Sequence, residues 1–274
     1  MRKFNLTLLS LLILSNFAFA LRPSKDYKNT PKDFDMDYKD ISIPTEDGLT
    51  LKGWYFKPME NTKKYIVVCD DGEGNMADNL EIISQFLTLD YHVITFDFRG
   101  FGKSSEFEID PKKYIYPHFV KDMNAVIKYM RKYYTTTFDI YGIGMGAGLA
   151  LSIAANKTEI RKVIADAPYV SFAKMKSQLK AKKDIEVSMP TVYNKYYMEP
   201  IHALANKGKH LTGILYIVGG NDVIVSNSDI KELVKIKKKP SHVYVVKGAT
   251  NTENFTSNKE AYFEHIKKFL HKGK

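Results

Sequence analysis

The sequence has only one cysteine, Cys69, in 274 residues. A single thiol excludes a disulfide within the chain, so the fold has to be stabilised by its buried core. The sequence shows no internal repeat, and no stripe of interleaved aromatic and basic residues of the kind that binds nucleic acid. We therefore expect neither a disulfide scaffold nor a repeat protein. We also expect no nucleic-acid partner, no metal and no cofactor.

Residues 1–20 differ in character from the rest of the chain. Arg2 and Lys3 precede the apolar run LLSLLIL, and Ala18-Phe19-Ala20 then provides a small-x-small cleavage site. This layout is typical of a secretory signal peptide, and the apolar run is short for a membrane span. We therefore expect an exported protein, periplasmic or secreted. An uncleaved N-terminal membrane anchor is the alternative.

Acidic residues are fewer than basic ones, 31 against 41, which gives a formal net charge of +10. Residues 1–20 hold two of the positive charges and no acid, so the remainder carries a formal +8. Lysines cluster in KAKK (180–183), in KIKKKP (235–240) and in the last residues of the chain. These lysine-rich helices could contact an anionic surface such as a membrane or a cell-wall polymer, or they could simply be solvated.

The pattern of apolar residues predicts an α/β fold. After a polar, proline-punctuated lead-in at residues 21–40, which we expect to be loosely held, ISIPTEDGLTLKGWYFKP predicts a hairpin. Strand-like and helix-like stretches then alternate to the end of the chain. This alternation predicts a mostly parallel sheet flanked by helices, with the hairpin adding antiparallel strands at one edge. We assign residues 41–274 to one domain with a small helical cap at about 169–210.

Four glycines alternate in YGIGMGAGLA (141–150), between a predicted strand and a predicted helix. The spacing is not G-x-G-x-x-G and no Gly-Lys-Ser/Thr follows, which excludes a dinucleotide fingerprint and a phosphate loop. It fits the nucleophile elbow G-x-S-x-G, a sharp turn from strand to helix, with Gly144 at the position of the serine. Because glycine enters the strained elbow conformation with little steric penalty, we expect Gly144 to be more stable there than serine.

With this elbow the chain resembles the alpha/beta-hydrolase superfamily, in particular its single-domain peptidases, esterases and thioesterases. TEDGLTLKGWYFKP is similar to the family's opening hairpin, FDFRGFGKSS (96–105) to its Asp-x-Arg-Gly-x-Gly-x-Ser segment, and IVGGNDVIV (217–225) to its acid strand. IADAPY follows the elbow helix as expected, and the resemblance runs from about Ile41 to the end. It implies the alpha/beta-hydrolase fold and a catalytic serine, acid and histidine.

The chain departs from the family at the catalytic positions that the resemblance implies. Asp222 matches the acid, but Gly144 stands in place of the serine, and Asn251 stands in place of the histidine in the last loop. Glycine has no nucleophilic atom, and an asparagine amide does not titrate near neutral pH. Of the three catalytic groups that the resemblance implies, this sequence therefore keeps only the acid, Asp222.

The loop that donates to a developing oxyanion is altered as well. In CDDGEGNMADN (69–79), Asp70 or Asp71 stands where the family has a histidine before a glycine. The resemblance implies oxyanion donors at Gly72, Glu73 and Met145. A carboxylate close to these donors would disfavour a developing negative charge.

Several other side chains are candidates for the pocket: Cys69, Asp70, Asp71, Tyr196 and Tyr197. Cys69 could be a nucleophile or a small buried residue. The two cap tyrosines could line an acyl pocket or serve only in packing. Asp70 and Asp71 could bind a cation or an amine-bearing ligand, or be solvated acids. Glu73 and Asp222 would complete such an acidic cluster.

Two functions fit the sequence. The first is an exported protein of hydrolase fold without serine-hydrolase activity, which binds a small-molecule or acyl-type ligand in its pocket or a partner on its surface. The second is an active esterase, thioesterase or peptidase that uses unconventional groups, since enzymes without their triad retain roughly 10³–10⁴-fold acceleration over water. The residues at the site, not the fold, decide between them.

Overall fold

The computed structural model describes residues 21–239, 241–250 and 253–271. Its strands are β1 (Arg22–Pro23), β2 (Tyr38–Pro44), β3 (Thr50–Phe56), β4 (Tyr65–Cys69), β5 (Glu73–Gly74), β6 (His92–Phe96), β7 (Phe138–Ile143), β8 (Ile160–Asp166), β9 (Gly213–Gly219) and β10 (Ser241–Val246). Eight of them form one sheet in the order β10-β9-β8-β7-β4-β6-β3-β2. The pairs from β10 to β6 are parallel. The pairs β6–β3 and β3–β2 are antiparallel, which confirms the predicted hairpin at one edge.

Helices cover both faces of this sheet. They are α1 (Leu80–Thr88), α2 (His118–Tyr133), α3 (Gly144–Asn156), α4 (Phe172–Lys183), α5 (Lys195–Met198), α6 (Pro200–Asn206), α7 (Asn227–Ile236), α8 (Asn254–Ser257) and α9 (Lys259–His271). Strand residues alternate between two buried clusters: Val67 packs with α2 and α3, and its neighbours Ile66 and Val68 with α1 and α9. No helix within the described ranges is long and apolar enough to cross a membrane.

The helices α2 and α3 are buried for different reasons. In α2 the buried residues Phe119, Met123, Val126 and Met130 recur every three or four positions, so one face packs on the sheet. By contrast, α3 is buried from Met145 to Ala155, because the sheet covers one side and α5 and α6 cover another. The turn that begins α3 is therefore held by packing on several sides.

The lead-in at residues 21–40 is not loosely held, contrary to expectation. Leu21 is fully buried, and β1 pairs in parallel with β5 in the loop after β4. The Tyr27 hydroxyl donates to Asp97 at 2.5 Å, and Met36 is buried beside the hairpin's Trp54. The apolar residues that anchor this segment are isolated in the sequence, so they produce no periodic pattern that predicts packing.

The segment FDFRGFGKSS has a structural role. Arg99 is buried and donates to Asp122 on α2 at 2.7 and 2.8 Å and to Asp47 in the hairpin turn at 2.8 and 3.1 Å. Asp97 accepts a hydrogen bond from the backbone amide of Met76 at 2.9 Å. These bonds fix the hairpin and the loop after β4 relative to the sheet, and that loop forms one wall of the site.

Candidate functional site

Gly144 follows directly on β7 and is the first residue of α3, so it occupies the predicted turn from strand to helix. Its φ is +51°, in the left-handed region that residues with a Cβ rarely adopt. At Gly146 a Cβ would lie 2.2 Å from the carbonyl oxygen of Asp70, so only glycine allows the turn to approach the loop after β4. The backbone typical of a nucleophile elbow is present, and glycine occupies its centre.

The loop after β4 brings Asp71 against this turn. A Cβ placed on Gly144 would lie 3.3 Å from the Cβ of Asp71, tighter than most such contacts. Asp70 accepts a hydrogen bond from the amide of Gly72 at 3.1 Å, and Asp71 accepts one from the amide of Glu73 at 2.8 Å. Two of the three predicted oxyanion donors are therefore bonded to carboxyl groups of their own loop.

The third predicted donor, Met145, lies in the first turn of α3. Backbone amides in the first turn of a helix have no partner within the helix. The Met145 side chain lines the cavity described next, whereas Glu73 is exposed and pairs with Arg22 at 2.6 Å. Met145 therefore has the one amide of the three that is not bonded to a carboxyl group of the loop after β4, and a single donor is fewer than the paired donors that stabilise an oxyanion.

A cavity of about 700 Å³ opens at the carboxyl ends of β4, β7 and β8. Its apolar wall comes from the turn between β7 and α3, from the cap helix α4 and from the loop after β9. The apolar residues are Ile143, Met145, Met175, Leu179, Ile224 and Val225. Its acidic residues are Asp70, Asp71, Glu73, Asp78 and Asp166. Ligand sites of open α/β sheets lie at this end of the strands, so the cavity is the candidate site.

Asp166, at the end of β8, belongs to a buried polar network that sequence reasoning missed. It accepts hydrogen bonds from Asn254 Nδ2 at 2.6 Å and from the Tyr262 hydroxyl at 2.7 Å, and that hydroxyl also bonds to Tyr141 at 2.8 Å. Burial raises the pKa of Asp166 to about 6 despite these bonds. The sequence did contain a signal for Asp166, because the aspartate in IADAPY ends a predicted buried strand that follows the elbow helix.

The carboxyl groups inside the cavity lack a basic partner. Burial and the adjoining Asp71 carboxyl raise the pKa of Asp70 well above its usual range, and burial raises the pKa of Asp71 to about 6. Across the part of the chain that the structure describes, no lysine or arginine lies within ion-pair distance of Asp70, Asp71 or Asp166. Above pH 6 the carboxyl groups of Asp71 and Asp166 therefore carry negative charge without a basic partner.

Asp222, the residue at the predicted acid position, lies in the turn after β9. Its Oδ1 accepts hydrogen bonds from the amides of Ile224 at 2.7 Å and Val225 at 2.9 Å. Its Oδ2 is buried and has no partner among the described residues. Asp222 does not line the cavity, unlike Asp70, Asp71 and Glu73 of the predicted acidic cluster, but its carboxyl helps to raise the pKa of Asp166, which does line it. Asn251 lies outside the described residues.

Three pocket candidates lie elsewhere. Cys69 is fully buried, its Sγ is 3.7 Å from the sulfur of Met123, and burial raises the pKa of its thiol. It is a core residue, which disfavours a nucleophilic thiolate. Tyr196 is 41% exposed, and Tyr197 lines a separate, smaller depression. Because α5 packs beside α3, the cavity is roofed instead by α4.

The acidic residues do not form a metal site. Among residues 21–239, 241–250 and 253–271, no three His, Cys, Asp or Glu side chains are arranged so that they could hold a metal ion. Asp70 is occupied by Gly72 and by the side-chain amide of Asn79 at 2.9 Å. The geometry therefore favours a ligand that pairs with separate carboxylates over an ion that gathers them.

A sequence model of the serine aminopeptidase S33 family matches residues 60–201, about half of the chain. The chain belongs to this family. The uncharacterized protein YqkD of Bacillus subtilis is 24% identical over 252 residues, which cover 86% of this chain and 80% of the relative. The uncharacterized protein Rv2307c of Mycobacterium tuberculosis is 22% identical over 240 residues, covering 85% and 79%.

Solved structures agree with the family at the level of the fold. The esterase Pf2001 of Pyrococcus furiosus superimposes with a TM-score of 0.74 at 22% identity, and the match covers 91% of this chain and 96% of the esterase. A predicted hydrolase from Thermoplasma acidophilum matches with a TM-score of 0.60 at 17% identity, over 86% and 98% of the two chains. The alpha/beta-hydrolase fold predicted from the sequence is confirmed.

The site of this S33-family chain has an unusual distribution of reactive groups. Gly144 contributes neither a hydroxyl nor a thiol at the turn, and carboxyl groups surround that turn on the β4 side. Such an environment disfavours an incoming anion and favours positive charge. The arrangement is therefore suited to binding a cation and poorly suited to stabilising a tetrahedral oxyanion.

Proposed function

We propose that the protein is a non-catalytic member of the serine aminopeptidase S33 family that binds a small molecule in the cavity at the carboxyl ends of β4, β7 and β8. The observation that carries this proposal is the pairing of Gly144, with its φ of +51°, and Asp71, whose Cβ lies 3.3 Å from the position of a Cβ on Gly144. The nucleophile's position holds no reactive atom, and its nearest side-chain neighbour is an acid.

The state of the backbone donors supports the same function. The amides of Gly72 and Glu73 already donate to Asp70 and Asp71, so a substrate carbonyl would have to displace an existing hydrogen bond to reach either amide. Removing a single oxyanion donor from a serine protease typically costs about 10²–10³ in kcat. Loss of two donors together with the nucleophile is expected to reduce acyl transfer to the uncatalysed level.

One observation favours a second candidate function, hydrolysis through an unconventional group. Asp71 lies beside the turn, half-buried, and its pKa is raised to about 6 by burial. A carboxyl group with such a pKa is suited to general acid or base work near neutral pH. Cys69 is not a candidate, since its thiol is fully buried and does not line the cavity.

Ester turnover separates the two functions. Protein comprising residues 21–274 is assayed with p-nitrophenyl acetate and p-nitrophenyl octanoate between pH 5 and pH 8, beside Asp71→Asn. The control variant is Glu264→Gln, which removes a carboxyl from the exposed face of α9. We expect no saturable turnover from any of the three proteins. Saturable turnover that is lost in Asp71→Asn and kept in Glu264→Gln would establish the enzyme and overturn the binding function.

We also propose that the protein is exported, with residues 1–20 removed. The support is the order of Arg2 and Lys3, the apolar run and the small residues Ala18 and Ala20. Cleavage after Ala20 would leave Leu21 as the first residue of the mature protein, and Leu21 is buried directly before β1 at Arg22–Pro23. The lysine-rich helices would then meet whatever anionic polymer lies outside the membrane.

A further inference from the structure

We propose that the cavity binds an organic cation, an ammonium group carried on an apolar chain or ring. This inference rests on the proposed binding function, because it names the ligand class of the same site. It depends on the sign of the charge inside the cavity, on the kind of hydrogen-bonding atom left unpartnered there, and on the apolar wall.

The charge inside the cavity is opposite to that of the protein. The whole chain carries a formal +10. At the rim, two exposed lysines, Lys28 and Lys183, accompany two exposed acids, Glu73 and Asp78, so the rim is close to neutral. Deeper in the cavity lie Asp70, Asp71 and Asp166, with no lysine or arginine in the lining at that depth. A positive ligand would supply the missing counter-charge.

Unpartnered polar atoms give an independent indication. Asn254 lines the cavity, is 2% exposed, and donates from Nδ2 to Asp166 at 2.6 Å, which fixes the orientation of its amide. Its other end, Oδ1, is buried and has no partner among the described residues. This free atom is an acceptor, so it is satisfied by a ligand that donates hydrogen bonds. An ammonium group donates; a carboxylate or an ester carbonyl would leave it unpaired.

The protonation behaviour of the carboxyl groups agrees with this assignment. Burial without a neighbouring cation raises the pKa of Asp71 and of Asp166 to about 6. A bound ammonium group would favour the charged form of both and lower each pKa again.

The rest of the lining favours an organic cation over a metal ion. The described residues contain no group of three acidic, histidine or cysteine side chains that could hold a metal. The opposite wall is apolar and includes Met175 and Leu179 of α4 and Ile224 and Val225 of the loop after β9. A hydrated ion would bury little of this apolar surface, whereas an alkyl chain or a ring would bury it.

Calorimetric titration with three six-carbon probes tests the proposal without altering the protein. Residues 21–274 are titrated at pH 7.5 with hexylammonium chloride, 1-hexanol and sodium hexanoate, which share one chain and differ in head-group charge. We expect hexylammonium to bind about tenfold or more tightly than hexanol, and hexanoate more weakly than either. Equal or tighter binding of hexanol or hexanoate would overturn the cation assignment while leaving a non-catalytic binding function in place.

Matched variants test the residues involved. Asp71→Asn and Asp166→Asn are each expected to weaken hexylammonium binding about tenfold or more and to leave hexanol binding unchanged. Glu264→Gln, on α9 and away from the cavity, is expected to bind like the parent protein. Unchanged hexylammonium affinity in both aspartate variants would overturn the assignment. Failure of all three probes to bind would overturn the assignment and the binding function together, whereas ester turnover would overturn only the latter.

Discussion

Asp71 packs against the bare backbone of Gly144, and a Cβ on Gly144 would lie 3.3 Å from the Cβ of Asp71. The residue without a side chain and the acid beside it form one local arrangement at the junction of β7 and α3. A serine at position 144 would meet both a left-handed backbone and a close neighbour. The sterics of this pair and its charge both disfavour a nucleophilic serine.

The first prediction concerns the stability of Gly144→Ser. With a φ of +51° and a tight contact to Asp71, the substitution is expected to lower the free energy of unfolding by about 1–3 kcal/mol. Gly48→Ser is the matched control, since Gly48 has a φ of +84° and no atom within 4 Å of an added Cβ. Urea denaturation is expected to show the larger loss for Gly144→Ser.

A double-mutant cycle identifies the source of that difference. Adding Asp71→Ala to Gly144→Ser is expected to recover the part of the loss that comes from the contact, but not the part that comes from the backbone. A Gly144→Ser protein as stable as the parent, or more so, would contradict our explanation of the turn.

The second prediction concerns the buried carboxyl of Asp166. Because its pKa is raised to about 6 in the folded protein, the native state binds more protons than the unfolded state between about pH 4 and pH 6. Its contribution to stability is therefore present at low pH and lost as the pH rises through 6. The stability of the parent relative to Asp166→Asn is expected to fall by about 2–3 kcal/mol between pH 4 and pH 7.

Urea denaturation of both proteins at half-unit pH steps measures this difference. Glu264→Gln, which removes an exposed carboxyl on α9, is the control for removing a charge from the surface. Parallel stability curves for the parent and Asp166→Asn would show that the Asp166 carboxyl has an ordinary pKa, and that the interior of the cavity is better compensated than we infer.

The third prediction concerns Arg99, which is buried and bonded to Asp122 and Asp47. Arg99→Met leaves Asp122, which is fully buried, without its counter-charge, so we expect a loss of about 3–5 kcal/mol. Arg131→Met removes an exposed arginine that pairs with Glu159 at 3.0 Å, and we expect about 0–1 kcal/mol. Similar losses in the two variants would show that the Arg99 network does not anchor the hairpin.

Local patterns predicted most of the fold. The three- and four-residue spacing of Phe119, Met123 and Val126 indicates α2, and the turn residues of TEDG indicate the hairpin. Such signals arise within a few residues of chain and depend on backbone geometry alone. The elbow was predictable for the same reason, because its glycines indicate a sharp turn and a close approach between backbone segments.

The site was less predictable, because it depends on contacts between distant residues. The bond between Asn254 and Asp166 joins positions 88 apart in the sequence, and no local pattern reports it. The side on which a cap helix packs is not encoded in its composition either, so the sequence left open whether Tyr196 and Tyr197 line the pocket or serve only in packing. Leu21 is a single apolar residue in a polar stretch, so no periodic pattern of apolar residues predicted its burial.

The fourth prediction concerns export. When the full chain is expressed in a bacterial host and fractionated, the mature protein is expected outside the cytoplasm with Leu21 as its first residue, as measured by intact mass and N-terminal sequencing. Replacing both Ala18 and Ala20 by bulky residues is expected to block processing. A mature protein that keeps residues 1–20 in the membrane fraction would establish the anchor instead.

Covalent labelling tests the central claim, that the turn at Gly144 has no nucleophile. Protein comprising residues 21–274 is incubated with a serine-directed fluorophosphonate and its intact mass is measured. A variant combining Gly144→Ser, Asp71→Ala and Asn251→His controls for access of the probe to the turn. We predict no adduct on the parent protein and a measurable fraction of singly labelled variant. One stoichiometric adduct on the parent protein would contradict the claim.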